Sequence, residues 1–145
     1  MVVTAKVVRK KHKDLPKSIK GPRRVKVGFP AGKADGGVIS RAVWNNFGTS
    51  RGIPERPFMQ NSVRANQGKY RQALKTSAAK ILRGESSLQI VMQKLGVVGQ
   101  GDIQAEITAL MTPPNAPSTI RQKGSSKPLI DTGEMRSAVT FQVED

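Results

Sequence analysis

Apolar and basic residues alternate in two short stretches near the start of the chain, TAKVVRK (4–10) and RRVKVGFP (23–30). A period of two marks half-buried strands, so both are expected to be strands. KHKDLPKSIKGP between them (11–22) holds two prolines and a glycine and reads as a loop, as does AGKADGG (31–37). In VISRAVWNNFG, Val38, Ile39, Ala42, Val43 and Phe47 fall at helical spacing and Gly48 stands where a C-cap belongs, with a strand as the alternative. Pro54 and Pro57 stop any helix in TSRGIPERP (49–57).

The longest regular pattern runs from Phe58 to Leu82, where Met59, Val63, Tyr70, Leu74, Ala78 and Ile81 recur at spacings of three, four or seven. It predicts an amphipathic helix with Arg64, Lys69, Arg71, Lys75 and Lys80 mostly on the wet side, ended by Gly84. Gly68 weakens it by about 1 kcal/mol. A second periodic stretch, Ser87 to Leu110, carries Leu88, Val91, Met92, Leu95, Ile103, Ile107 and Leu110. Gly96, Gly99 and Gly101 interrupt it, which predicts a break or kink and a restart at Asp102. The two stretches are expected to pack as a helical hairpin. TPPNAPSTIRQKGSSKPLIDTG (112–133) reads as a long loop in which Ser118 caps one helical turn. SAVTFQVE (137–144) sets Val139, Phe141 and Val143 against Ala138, Thr140 and Gln142, a strand suited to pair with the N-terminal ones.

These elements predict a single α+β domain over 1–145: a small antiparallel sheet from the N- and C-terminal strands, packed against two or three helices, with long Pro-rich loops. Residues 1–33 form a basic strand–loop–strand segment, 34–111 are mainly helical, 112–133 are the long loop and 134–145 the C-terminal strand. With 37% hydrophobic and 4% aromatic residues, the core must come from Val, Ile, Leu, Met and Ala. There is no cysteine, which removes disulfides and thiolate metal sites and suits a reducing compartment. The lone histidine, His12, stands among lysines and reads as solvated. No apolar run approaches the ~20 residues a membrane span needs, and the order of apolar and charged residues at the start is the reverse of a secretory signal.

Charge changes the picture most. The net is +15, and residues 1–33 hold 11 Lys/Arg against one acid, Asp14. Such asymmetry suggests a polyanion partner or an interaction arm, against a merely solubilising segment. Candidate chemistry is thin. The Asp-Thr-Gly of KPLIDTGEM (127–135) is how aspartic proteases write a catalytic loop. Only 12 residues follow Gly133, too few for a protease half with its flap, so Asp131 and Thr132 are read as bonding nearby backbone N–H groups and Gly133 as taking a glycine-only conformation. GKADGG (32–37) lacks phosphate-loop spacing, and GVVGQG (96–101) lies among helical residues where a dinucleotide fingerprint would follow a strand. No cofactor, metal or catalytic residue is expected.

Two segments resemble a known family. WNNFGTSRGIPERPFMQNSV (44–63) looks like the Asn-Glu-Phe-Gly-Thr…Ile-Pro-x-Arg-Pro-Phe segment of phage tail-completion proteins, the head–tail joining, minor tail protein Z-like group. PPNAPSTIRQKGSSKPLIDTGEM (113–135) resembles that group's second hallmark, and the order of both with two helical stretches between them matches as well. The resemblance covers roughly 38–143. Asn46 departs from it, standing where the family often has Glu, and the basic segment 1–33 lies outside it.

The resemblance implies a structural virion protein with no enzymatic chemistry, forming a homo-oligomeric ring, six subunits by analogy, at the head-proximal end of a phage tail. Its partners would be itself, other tail and connector proteins, and genomic double-stranded DNA bound non-specifically, with neither a membrane nor a small-molecule substrate. It would be assembled in the cytoplasm of the bacterial host. The matched positions are Trp44, Phe47, Gly48, Thr49, Pro54, Arg56, Pro57, Phe58, Pro113, Pro114, Asn115, Thr119, Lys123, Pro128, Leu129, Asp131, Thr132 and Gly133, expected at or near subunit contacts. Trp44 and Phe47 suit a core or an interface equally; the prolines could stiffen an interface or only shape loops. Arg9, Lys10, Lys11, Lys13, Lys17, Lys20, Arg23 and Arg24 are the candidate DNA-facing cations, with an acidic patch on a neighbouring protein as the competing partner. Charge alone also allows a basic nucleic-acid-binding protein of ribosomal character.

Overall fold

The computed structural model describes residues 19–145. Its elements are β1 (Arg24–Gly28), α1 (Gly36–Phe47), α2 (Phe58–Leu82), α3 (Leu88–Ala109), α4 (Pro117–Lys123), α5 (Glu134–Ser137) and β2 (Thr140–Glu144). The fold is α+β, a two-stranded antiparallel sheet on a mainly helical body. The expected strand at 4–10 lies outside the described residues.

β1 and β2 pair with Val25 opposite Val143 and Val27 opposite Phe141. The period-two alternation turns these four toward α3 and leaves Lys26 and Glu144 outside, where they form an ion pair at 3.0 Å. β2 is shorter than the alternation suggested: Ser137 ends α5, and Ala138 and Val139 lie between that helix and the strand.

α3 is one continuous helix from Leu88 to Ala109, with no break at its glycines. The expected break is corrected because Gly96 and Gly99 serve packing. A Cβ on Gly96 would run into the Phe141 ring, and one on Gly99 would lie 3.1 Å from Val27 Cγ2. The sheet sits close against the helix only where side chains are missing. Ser87 caps α3, its Oγ accepting from Ile90 N–H at 3.3 Å.

α2 and α3 form the expected hairpin, and Gly84 takes the positive φ of 75° that closes α2. The apolar stripe of α2 is only partly covered. Phe58 and Ser62 are its buried residues, while Val63, Leu74 and Ala78 stay exposed because α3 is its main partner. The core lies at the other end, where Phe58 meets Val38 and Ala42 of α1, Ile103 and Ile107 of α3, Leu110, Leu129, Met135 and Val139. The expected long loop is also corrected in part. It contains α4, seven residues long, which starts after Ala116 with Pro117 in its first turn and is not capped by Ser118.

Candidate functional site

Arg56 organises the site. Pro54 and Pro57 keep the approach to α2 extended, and Arg56 N–H donates to Asn45 O at 2.7 Å, which holds that segment against the end of α1. Its side chain is 3% exposed. Nε donates to Pro113 O at 2.8 Å, Nη2 to Pro114 O at 3.0 Å and Asn115 Oδ1 at 3.2 Å, and Nη1 to Asn45 Oδ1 at 3.0 Å. A planar fork with five donors is what this set of acceptors requires. All of them are neutral, and burial lowers the guanidinium pKa from its ordinary value.

The two sequence segments thus meet, although Arg56 and Pro113 are 57 positions apart. They enclose a groove of about 400 Å³ whose walls include Pro54, Arg56, Pro114, Asn115, Thr119, Lys123, Pro128, Leu129, Asp131, Thr132 and Gly133. Gly48 closes α1 at φ 71°, and a Cβ there would lie 3.0 Å from Glu55 N and 3.1 Å from Ile53 O, so the turn admits only glycine. Thr49 seals the turn twice: its N–H donates to Ile53 O at 2.9 Å and its Oγ1 accepts from Ile53 N–H at 3.2 Å. Pro57 leads into Phe58, which is fully buried.

On the opposite wall, Lys123 Nζ donates to Lys127 O at 3.1 Å and Pro128 O at 3.4 Å. Desolvation lowers its pKa, partly offset by the charge of Asp131. Gly133 has φ 82°, the glycine conformation expected of it. Thr132 Oγ1 accepts from Glu134 N–H at 3.4 Å. Asp131 differs from expectation: it is exposed and makes no hydrogen bond among the described residues, acting on Lys123 through charge alone.

Trp44 and Phe47 are 49% and 62% exposed, so neither anchors the core. α1 turns Val38, Ala42 and Asn46 inward instead, which carries Val43, Trp44 and Phe47 to the outer side. Pro54 is exposed and Pro128 buried. Of the candidate cations, Lys20, Arg23 and Arg24 are exposed beside the start of β1, while Arg9, Lys10, Lys11, Lys13 and Lys17 lie outside the described residues.

Sequence reasoning missed three contributors. Asn46 is 1% exposed, and its Oδ1 accepts from Met59 N–H at 3.3 Å, capping α2, whose own N-cap Pro57 has no side-chain donor or acceptor. The signal was its place four residues after Ala42 on the buried stripe. Asn45 supplies both a backbone and a side-chain acceptor to Arg56. Arg41 pairs with Glu134, tying α1 to α5 at the groove's rim. Among the described residues no three His, Cys, Asp or Glu side chains converge as a metal site, and no helix is long and apolar enough to cross a membrane. No family model matches the chain, and neither a curated protein nor a solved structure matches it.

Proposed function

We propose that this chain is a structural subunit of a tailed bacteriophage, a tail-completion protein that joins tail to head around the DNA passage and carries no enzymatic activity. It works as a homo-oligomeric ring of six in contact with other tail and connector proteins, assembled in the cytoplasm of the bacterial host. The observation that carries this reading is the junction at Arg56. Two segments far apart in sequence, each resembling the same family, converge on one buried guanidinium and share one groove. The exposed Val43, Trp44 and Phe47 on the outer side of α1 supply apolar surface for a neighbouring subunit. Head-to-tail contacts through such a surface close into a ring when the rotation between neighbours divides a full turn.

Electron cryomicroscopy of purified intact and tailless particles tests it. The expected result is a ring of this chain at the head-proximal end of the tail, with the groove and the Trp44 face at subunit contacts. Absence from the particles, or a single copy there, would overturn the reading. The net charge of +15 favours one rival, a basic nucleic-acid-binding protein of ribosomal type. That rival predicts a stable monomer that travels with ribosomal fractions.

A further inference from the structure

The outer face of α2 presents Arg64, Gly68, Arg71 and Lys75, spaced four, three and four residues apart, so they form one row about 16 Å long at 1.5 Å per residue. All four are exposed. Among the described residues none of the three cations pairs with a carboxylate; the ion pair between the two helices joins Lys69 to Asp102. α2 has five Lys/Arg and no acid along its 25 residues. An ordinary solvated helix face mixes signs, and like charges four apart, as in Arg71 and Lys75, destabilise a helix by about 0.2–0.5 kcal/mol.

Gly68 adds an independent observation. It lies in the middle of the row, within one turn of Arg64 and Arg71 and two turns of Lys75. A helical glycine costs about 1 kcal/mol relative to Ala. A Cβ at Gly68 would meet nothing within 4 Å, so no contact among the described residues requires the glycine. Gly96, by contrast, is demanded by Phe141. The row therefore carries two internal costs, repulsion and lost helix propensity, with no return among the described residues.

We infer that this row is a phosphate-binding surface for duplex DNA, with Gly68 letting a sugar–phosphate strand approach the helix between three cations. No aromatic residue stands in the row, and Tyr70 is engaged with Asp102 at 2.7 Å, so base stacking has no platform and the contact is to backbone alone. The surface differs from the candidate cations at 9–24, and its place in a DNA passage rests on the proposed function.

Binding of the full chain to a random-sequence 30-base-pair duplex, followed by fluorescence anisotropy across salt, tests it. Changing Arg64, Arg71 and Lys75 together to Gln should reduce the log–log salt slope by about 2.7, at 0.9 per phosphate lost. Gly68→Gln should lower duplex affinity while raising the unfolding midpoint, a combination a purely structural glycine cannot produce. An unchanged slope in the triple variant, or unchanged affinity in Gly68→Gln, overturns the inference. So does a triple variant that loses binding to poly-glutamate but not to duplex, which would assign the row to an acidic protein. Duplex binding in solution needs no ring. A ring in particles with an unchanged slope sinks this inference alone, and a reduced slope with no protein in particles sinks the proposed function alone.

Discussion

Arg56 Nε donates to the carbonyl oxygen of Pro113 at 2.8 Å, and that bond joins the start of α2 to the chain leaving α3. Arg56→Lys keeps the charge but loses the fork that serves four acceptors. Removing one partner leaves buried carbonyls unsatisfied, at about 1–3 kcal/mol each for those that water does not reach. Arg56→Lys should therefore lower unfolding stability by roughly 2–4 kcal/mol in a denaturant titration. A loss below about 0.5 kcal/mol, the usual range of surface substitutions, would show that the junction is not what holds the two segments together.

Gly96 and Gly101 stand five residues apart in α3 and should respond oppositely to the same substitution. Gly101→Ala meets open space and should stabilise by about 1 kcal/mol through helix propensity. Gly96→Ala would overpack Phe141 and should cost about 1–3 kcal/mol. In a Phe141→Leu background that cost should shrink, and thermal unfolding of the four variants reads the coupling. Equal effects at both glycines would refute the close approach of helix and sheet.

Trp44 and Phe47 separate subunit stability from assembly. Because both are exposed, Trp44→Ser and Phe47→Ser should change monomer stability by no more than about 0.5 kcal/mol. Under the proposed function the same variants should fail to join tails, which counting complete particles would reveal. Normal tail yield from the double variant would remove this face from the subunit contact.

Tyr70 sets an alkaline limit. Burial, then the hydrogen bond and negative charge of Asp102, raise its pKa above the ordinary value of 10.0. The unfolded chain releases this proton first, so the contribution is fully present below pH 10 and is lost as pH rises from there toward the folded pKa. Tyr70→Phe should cost about 1 kcal/mol at neutral pH through the lost bond to Asp102. The gap between variant and parent should close above pH 10. A gap that stays constant from pH 8 to 11 would contradict the buried, Asp102-linked hydroxyl.

Asp131 is the remaining test of the Asp-Thr-Gly sequence. It is exposed and unbonded among the described residues, so Asp131→Asn should leave stability within about 0.5 kcal/mol. Peptide cleavage present in the parent and absent in this variant would overturn the non-catalytic reading of Asp131.

Much of the fold was legible in the chain because the signals are local. Alternation at Val25/Val27 and Phe141/Val143 announces strands, the three-and-four spacing from Phe58 to Leu82 announces α2, and Gly48, Gly84 and Gly133 mark turns that take positive φ. Each depends on backbone geometry and side-chain period within a few residues. The glycines of α3 misled for the same reason. Local propensity makes Gly96 and Gly99 look like a break, and only the sheet pressed against them turns a weakness into a fit.

The candidate site divides in the same way. The sequence by itself determined most of the elements, the excess of basic charge and the two Pro-rich segments. Tertiary structure decided that those segments touch, that Arg56 is buried with Asn45 and Asn115 as partners, and that Trp44 and Phe47 face outward while Asn46 faces the core. Which side of α1 is inner depends on what packs against it, and hydrophobicity along the helix cannot say: two large aromatics point to solvent and a polar amide is buried because that amide caps α2. The row on α2 is a fact of the same kind. Its charges are visible in the chain, but only the packing of α3 on the other side shows that the face around Gly68 is left uncovered among the described residues.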